Sequence, residues 1–306
     1  MTNSQKIFKC PLLLYLKMKI MKKILVPIDF SKPSQWALEV ATGIAKRAKG
    51  QIILLHIVEQ PTSESFNVEG QIFDGEGWED KLFMLKRIEK SKLQMVEAAK
   101  LAEDAGVFVT SEIKLGNPFH GMRTVITDHN VDLVVMGTSG RTKFKEMIVG
   151  SNTEKVVRHA KCPVLTVHEK PNGKDFANIV YASCLNENEK GFAAVVKNAQ
   201  EMYNAKVHLV RINTPMNFQP DHEVKRVMQE FARKINLKDY TLNVFNDRSE
   251  EEGILHFAAS VNADLIAMAT HGRSGFAHVL AGSIAEDVVN HASKPVLTFV
   301  TPNLYN

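Results

Sequence analysis

The sequence predicts an α/β protein built twice: two repeated, doubly wound domains, each with a five-stranded parallel sheet. Three observations carry that expectation. Short apolar runs rich in Val, Ile and Leu alternate with longer stretches of helical spacing. The runs are apolar throughout, so helices must cover the sheet on both faces, with right-handed crossovers. And past Asp175 the whole pattern starts again.

The elements follow in order. Lys23 to Ile28 is a buried strand that leads through Pro27 and Asp29 into Phe30 and Ser31. Ser31 and Pro33 suit a helix start, and Trp36, Ala37, Val40, Ala41, Ile44, Ala45 and Ala48 recur at helical spacing until Gly50 stops them. Gln51 to Val58 is the second strand. Glu59 to Trp78, with its glycines and acids, has no clear period and reads as a surface loop. A charged amphipathic helix runs from about Glu79 to Ala105, followed by a strand at Val107 to Leu115, a helix at Pro118 to Asp128 and a strand at Asp132 to Met136. A helix with Val156, Val157 and Ala160 on one side precedes the fifth strand, Cys162 to Val167.

Domain limits follow from the same pattern: an N-terminal extension at 1–20, a first domain at 21–168, a linker at 169–175, a second domain at 176–301 and a tail at 302–306. Asn178 to Ser183 repeats the first strand, and Lys206 to Ile212 the second. The run from Asp264 repeats that from Asp132 position by position, Gly282-Ser283 repeats Gly150-Ser151, and Lys294-Pro295 begins the repeat of Cys162-Pro163.

Composition narrows the class. At 306 residues, 44% hydrophobic and 24% charged, each half is large enough for its own core. The net charge of +4, from 38 basic and 34 acidic residues, is too even a mixture for a nucleic-acid binder. Cys10, Cys162 and Cys184 form no CxxC pair, which argues against a disulfide framework and for a reducing, cytoplasmic setting. The apolar run at 11–16 is too short for a signal-peptide core or a membrane span, and Met18 or Met21 is the expected start of translation. The histidines, including His256, His271, His278 and His291, show no paired ligand spacing, so no metal site is expected.

The chemistry gathers after the fourth strand. Met136 leads into Gly137 and Gly140, and nine residues later Gly150-Ser151 opens a helix. A phosphate must be met by several backbone N–H groups at once, so Cβ atoms are unwelcome there and a helix N-terminus is favourable. Ser151 and Thr153 can add hydroxyl donors. If the first and fourth strands are neighbours where the winding reverses, Asp29 faces this loop across one crevice and can accept from a ribose hydroxyl. Pro27, Ile57 and Met136 are placed to flank an adenine. The plain alternatives are a turn at Gly137 and Gly140, a helix cap at Asp29, and core positions for the apolar three.

At these residues the chain resembles the universal stress protein family in its tandem form. The carriers are Ile24 to Ser31, Leu54 to Val58, Asp132 to Arg141, and the spacing Gly137-x2-Gly140-x9-Gly150-Ser151. The resemblance implies that family's Rossmann-like fold, a cytoplasmic stress role, association through paired domains, and ATP or AMP, with or without Mg, as ligand. It implies Asp29 on the ribose, the backbone of Ile57 on the adenine, and Gly137, Gly140, Gly150, Ser151 and Asn152 around the phosphates. Arg141 belongs to the same loop.

Departures from the family pattern matter. Lys143 replaces the last glycine of GRSG in the first half. In the second half Ala269 replaces the first glycine, Cys184 stands for Asp29 and Arg211 for His56, while Gly272, Gly282 and Ser283 survive. The expectation is one nucleotide per chain, in the first half, with the second half as its structural partner and a homodimer as a further option. The function expected is a nucleotide-responsive factor acting through protein partners, without nucleic acid or membrane. The alternatives are a weak ATPase, although no Walker lysine-serine pair follows the loop, and a ligand-free scaffold.

Overall fold

The computed structural model describes residues 21–59, 78–138, 151–170, 175–185, 189–271 and 284–301. The N-terminal extension, residues 60–77, the glycine loop from 139 to 150, residues 171–174 of the linker, residues 186–188, the second loop at 272–283 and the tail lie outside them.

The first half runs β1 (Lys23–Pro27), α1 (Lys32–Ala48), β2 (Gln51–Val58), α2 (Trp78–Glu103), β3 (Phe108–Leu115), α3 (Pro118–Asp128), β4 (Leu133–Gly137), α4 (Ser151–His159) and β5 (Val164–Val167). The second runs β6 (Asn178–Ala182), α5 (Lys190–Tyr203), β7 (Lys206–Asn213), α6 (Asp221–Lys234), β8 (Tyr240–Asn246), α7 (Glu250–Ser260), β9 (Leu265–His271), α8 (Ile284–His291) and β10 (Val296–Thr301). The expected elements are all present, with boundaries moved by a residue or two where helices and strands end.

Sequence chemistry accounts for the ends of α1. Ser31, in an extended conformation, accepts from the Ser34 amide as N-cap, Pro33 follows within the first turn, and Lys49 closes the helix in the left-handed region at φ 51°. At α3 the same logic is served by Asn117, whose side chain accepts from the His120 amide, and by Pro118.

The strands form one ten-stranded sheet in the order β3-β2-β1-β4-β5-β10-β9-β6-β7-β8. Every pairing is parallel except β5 with β10, where Leu165 lies opposite Leu297 and the two halves meet antiparallel. The joint is nearly symmetric: Thr166 Oγ1 donates to the Val296 carbonyl at 3.2 Å and Thr298 Oγ1 to the Val164 carbonyl at 3.4 Å. On one face a single core runs through both halves, from Ile24, Leu38 and Leu54 across Leu165 and Leu297 to Tyr181, Phe192 and Leu209. On the other face each half keeps its own cluster, around Leu55 and Val134 in the first and around Val210 and Ile266 in the second. A leucine buried at this joint contributes about 2 kcal/mol through area removed from water alone.

A second tie crosses between α4 and α8. The Arg158 guanidinium meets the Glu286 carboxylate with two parallel hydrogen bonds, Nε to Oε1 at 2.8 Å and one nitrogen of its terminal pair to Oε2. The Glu286 side chain is buried and that of Arg158 is half exposed. Among the described residues no helix is long and apolar enough to cross a membrane.

Candidate functional site

β1 and β4 are neighbours, with Ile24 opposite Leu133 and Leu25 opposite Val134. Their other partners, β2 and β5, lie on opposite sides, so the winding reverses between them and opens a crevice beyond their carboxyl ends. Asp29 stands at the end of one wall and Gly137 at the end of the other.

Asp29 is held by the turn that follows it. Its Oδ1 accepts from the Ser31 amide at 3.0 Å and from the Ser31 hydroxyl at 2.5 Å, which leaves Oδ2 outside both bonds. Partial burial pushes its carboxyl up, but the bonds from the Ser31 and Ser34 side chains and the Ser31 amide outweigh that and hold it below the ordinary carboxylate value. Asp29 is therefore not the helix cap: Ser31 is, and Asp29 braces it.

Between them, Phe30 takes φ 65°, a left-handed turn that a bulky residue enters only when its surroundings hold it. His56 supplies the hold. Its Nδ1 donates to the Ile28 carbonyl at 2.8 Å, and its ring lies 4.6 Å from that of Phe30. Neither the strained turn nor the role of His56 was expected from the sequence, although an Asp-x-Ser step beside a helix start is a recognisable Asx-turn signal.

Gly137 ends β4 against the first turn of α1. A Cβ there would sit 2.3 Å from the Pro33 carbonyl carbon and oxygen and 2.7 Å from the Ser34 nitrogen. The glycine thus serves helix packing as well as the approach of a ligand. Thr138, buried just beyond it, meets His168 Nδ1 through its hydroxyl at 2.8 Å, and His168 Nε2 meets the Thr166 hydroxyl at 3.1 Å. Burial lowers His168 to about 4, so the ring is neutral and ties the root of the glycine loop to the β5–β10 joint.

The remaining expected residues divide. Pro27, at the end of β1, is partly buried; Met136 is buried within β4; and Ile57 is partly buried, packed against the first-half cluster and facing Gly121 of α3. Ser151 opens α4, with Asn152 partly exposed and Thr153 buried in its first turn. Gly140, Arg141 and Gly150 lie outside the described residues, as do Lys143, Gly272, Gly282 and Ser283. Among the described residues no group of three or more His, Cys, Asp or Glu is placed to hold a metal ion.

In the second half the same positions are rebuilt. Asn178 pairs with Lys206 as Lys23 pairs with Gln51, so Cys184 stands for Asp29 and Leu185 for Phe30. Leu185 repeats the left-handed turn, at φ 61°, and an Arg211 nitrogen donates to the Cys184 carbonyl at 3.4 Å, replacing the brace from His56. Desolvation of the thiol, with Glu189 and Glu250 nearby, pushes Cys184 up to about 11. It is a neutral thiol where the first half has a carboxylate.

Comparison with known proteins agrees with this architecture. The sequence profile of the universal stress protein family matches residues 21–168 and again 176–299. A universal stress protein of Methanocaldococcus jannaschii is 32% identical over 156 residues, which is 49% of this chain and 96% of the relative. Another from the same organism is 33% identical over 150 residues, 49% of this chain and 83% of the relative. The crystal structure of a universal stress protein from Archaeoglobus fulgidus superposes with a TM-score of 0.75 at 19% identity, covering 92% of this chain and 99% of that one, which establishes a shared fold across both halves. With two matched domains in one polypeptide, the chain belongs to the universal stress protein family in tandem form.

Proposed function

We propose that the first half binds one adenine nucleotide, ATP or AMP, and that the chain acts in the cytoplasm as a nucleotide-responsive stress factor through protein partners. One observation carries the reading: Asp29, kept ionised and aimed by Ser31, stands at the end of β1 directly across from the strand that feeds the glycine loop. Asp29 Oδ2 accepts from a ribose hydroxyl. The phosphates lie over the N-terminus of α4, where unpaired amides and the helix dipole favour negative charge. Pro27 and Met136 at the strand ends, with the Ile57 backbone, border the adenine. Occupancy of the crevice ties β1, β4 and α4 together, and through Thr138 and His168 it bears on the joint between the halves.

ATP titration by calorimetry, together with mass spectrometry of ligand released from the purified protein, tests this. Asp29→Ala removes a charged acceptor, a loss of about 1.5–3 kcal/mol, so affinity falls roughly ten-fold or more. Unchanged affinity in that variant would overturn the role of Asp29. A wild-type protein that neither carries nor titrates with adenine nucleotide would overturn the proposal itself.

A further inference from the structure

The second half carries a buried carboxylate that the first half lacks. Lys49 and Asn204 close α1 and α5 in the same left-handed conformation, and β6 and β7 pair in the register of β1 and β2, so Glu189 stands at the position of Ser34. Glu189 is 1% exposed. Its carboxylate accepts three hydrogen bonds: from the Ser183 hydroxyl at 2.6 Å, the Cys184 amide at 3.1 Å and the Tyr181 hydroxyl at 3.2 Å. No cationic side chain pairs with it among the described residues.

Each of those donors has a telling counterpart. Tyr181 and Ser183 replace the apolar Val26 and Ile28, so two of the three hydroxyl and amide donors exist only in the second half. The third, the Cys184 amide, corresponds to that of Asp29, which has no partner beyond its own residue among the described residues. The second half has therefore filled from within a donor position that the first half leaves open at the end of its first strand. Ala269 completes the change: it stands where Gly137 does, and a Cβ at that place collides with a helix start like that of Pro33 and Ser34.

We infer that Glu189 is a built-in occupant that excludes anionic nucleotides from the second half, and that Cys184, Glu189 and Ala269, not the second glycine loop, decide this selectivity. The inference rests on the nucleotide reading of the first half. A phosphate-bearing ligand entering there meets a fixed negative charge in a desolvated setting, where repulsion is weakly screened. It finds its amide donor already taken, and a neutral thiol in place of the ribose acceptor.

The test uses the full chain in two measurements. Hydrogen exchange of the wild type with saturating ATP should show added protection in peptides covering 24–31 and 133–159 and none in peptides covering 178–190. Added protection at 178–190 overturns the inference. Equilibrium dialysis then counts bound ATP for the wild type and for the variant combining Cys184→Asp, Glu189→Ser and Ala269→Gly, with its melting transition as proof of folding. One nucleotide in the wild type and two in the variant uphold it; two in the wild type, or an unchanged count in the folded variant, overturn it. If the wild type binds none, the nucleotide reading of the first half fails by itself. A gain of one in the variant still upholds the role of Glu189, and no gain overturns both.

Discussion

At the end of β1 the chain turns through Phe30 into a helix whose first turn buries Ser34; at the end of β6 it turns the same way through Leu185 and buries the Glu189 carboxylate at the matching position. The strand register, the left-handed turn and the helix C-cap are common to both halves, so the difference is local. It sits where Gly137 touches the first turn of α1 and where Ala269 replaces it. The contact that Gly137 makes with the Pro33 backbone leaves no room for a methyl group such as that of Ala269. On the reading proposed above, selectivity is set by what the fold packs at the strand end before any ligand contact is made.

That comparison can be broken most severely at the glycine. Gly137→Ala forces a Cβ to within 2.3 Å of the Pro33 backbone, which cannot swing aside as a flexible side chain would. The expected loss is about 3 kcal/mol in chemical denaturation, together with loss of ATP binding, whereas Ala269→Gly costs about 1 kcal/mol or less. Equal losses at the two positions would show that the close contact in the first half is not what distinguishes it.

A smaller effect comes from His168, whose counterpart across the joint is Val300. Its folded value of about 4 lies below the ordinary 6.5, so the unfolded chain binds the extra proton as pH falls. Its stabilisation is complete above 6.5 and drains away as pH drops toward 4. Between pH 7 and pH 5 the wild type should lose about 2 kcal/mol from this group, and His168→Val should remove that part of the pH dependence. A denaturation series that keeps its full slope in the variant would exclude His168 as the source.

The smallest expected difference lies between α4 and α8. Arg158 and Asn290 are mirror positions, but among the described residues only Arg158 of the two reaches a carboxylate across the joint, and the buried Asn290 Oδ1 has no hydrogen-bond partner there. Arg158→Ala should cost about 1 kcal/mol, reduced from a fully buried pair because the guanidinium is half exposed, and Asn290→Ala about half that or less. Thermal melts of the two variants decide whether the tie is one-sided.

The fold was legible because its signals are local or periodic: apolar strands, Ser31 and Pro33 at a helix start, Gly50 at a helix end, and a repeat aligned by its own strands. The wall formed by Asp29 and Gly137 was legible for the same reason. What escaped the sequence were contacts between distant segments. Gly137 looks like a ligand-facing glycine until Pro33 is seen against it. Glu189 sits in an Asn-Glu-Asn-Glu-Lys run that reads as solvated surface, and only the fold brings Tyr181 and Ser183 beneath its carboxylate. His168 follows a short strand, where nothing in its spacing announces a buried, neutral ring.

The antiparallel seam of Leu165 against Leu297 has one more consequence. Were the two sheets to meet across that seam as identical chains, every substitution would strike both crevices at once, and neither could change without the other. Covalent fusion lifts that constraint. Each crevice has its own codons, so one can be kept open while its twin is rebuilt from the inside, and the assembly never passes through a form in which both are lost.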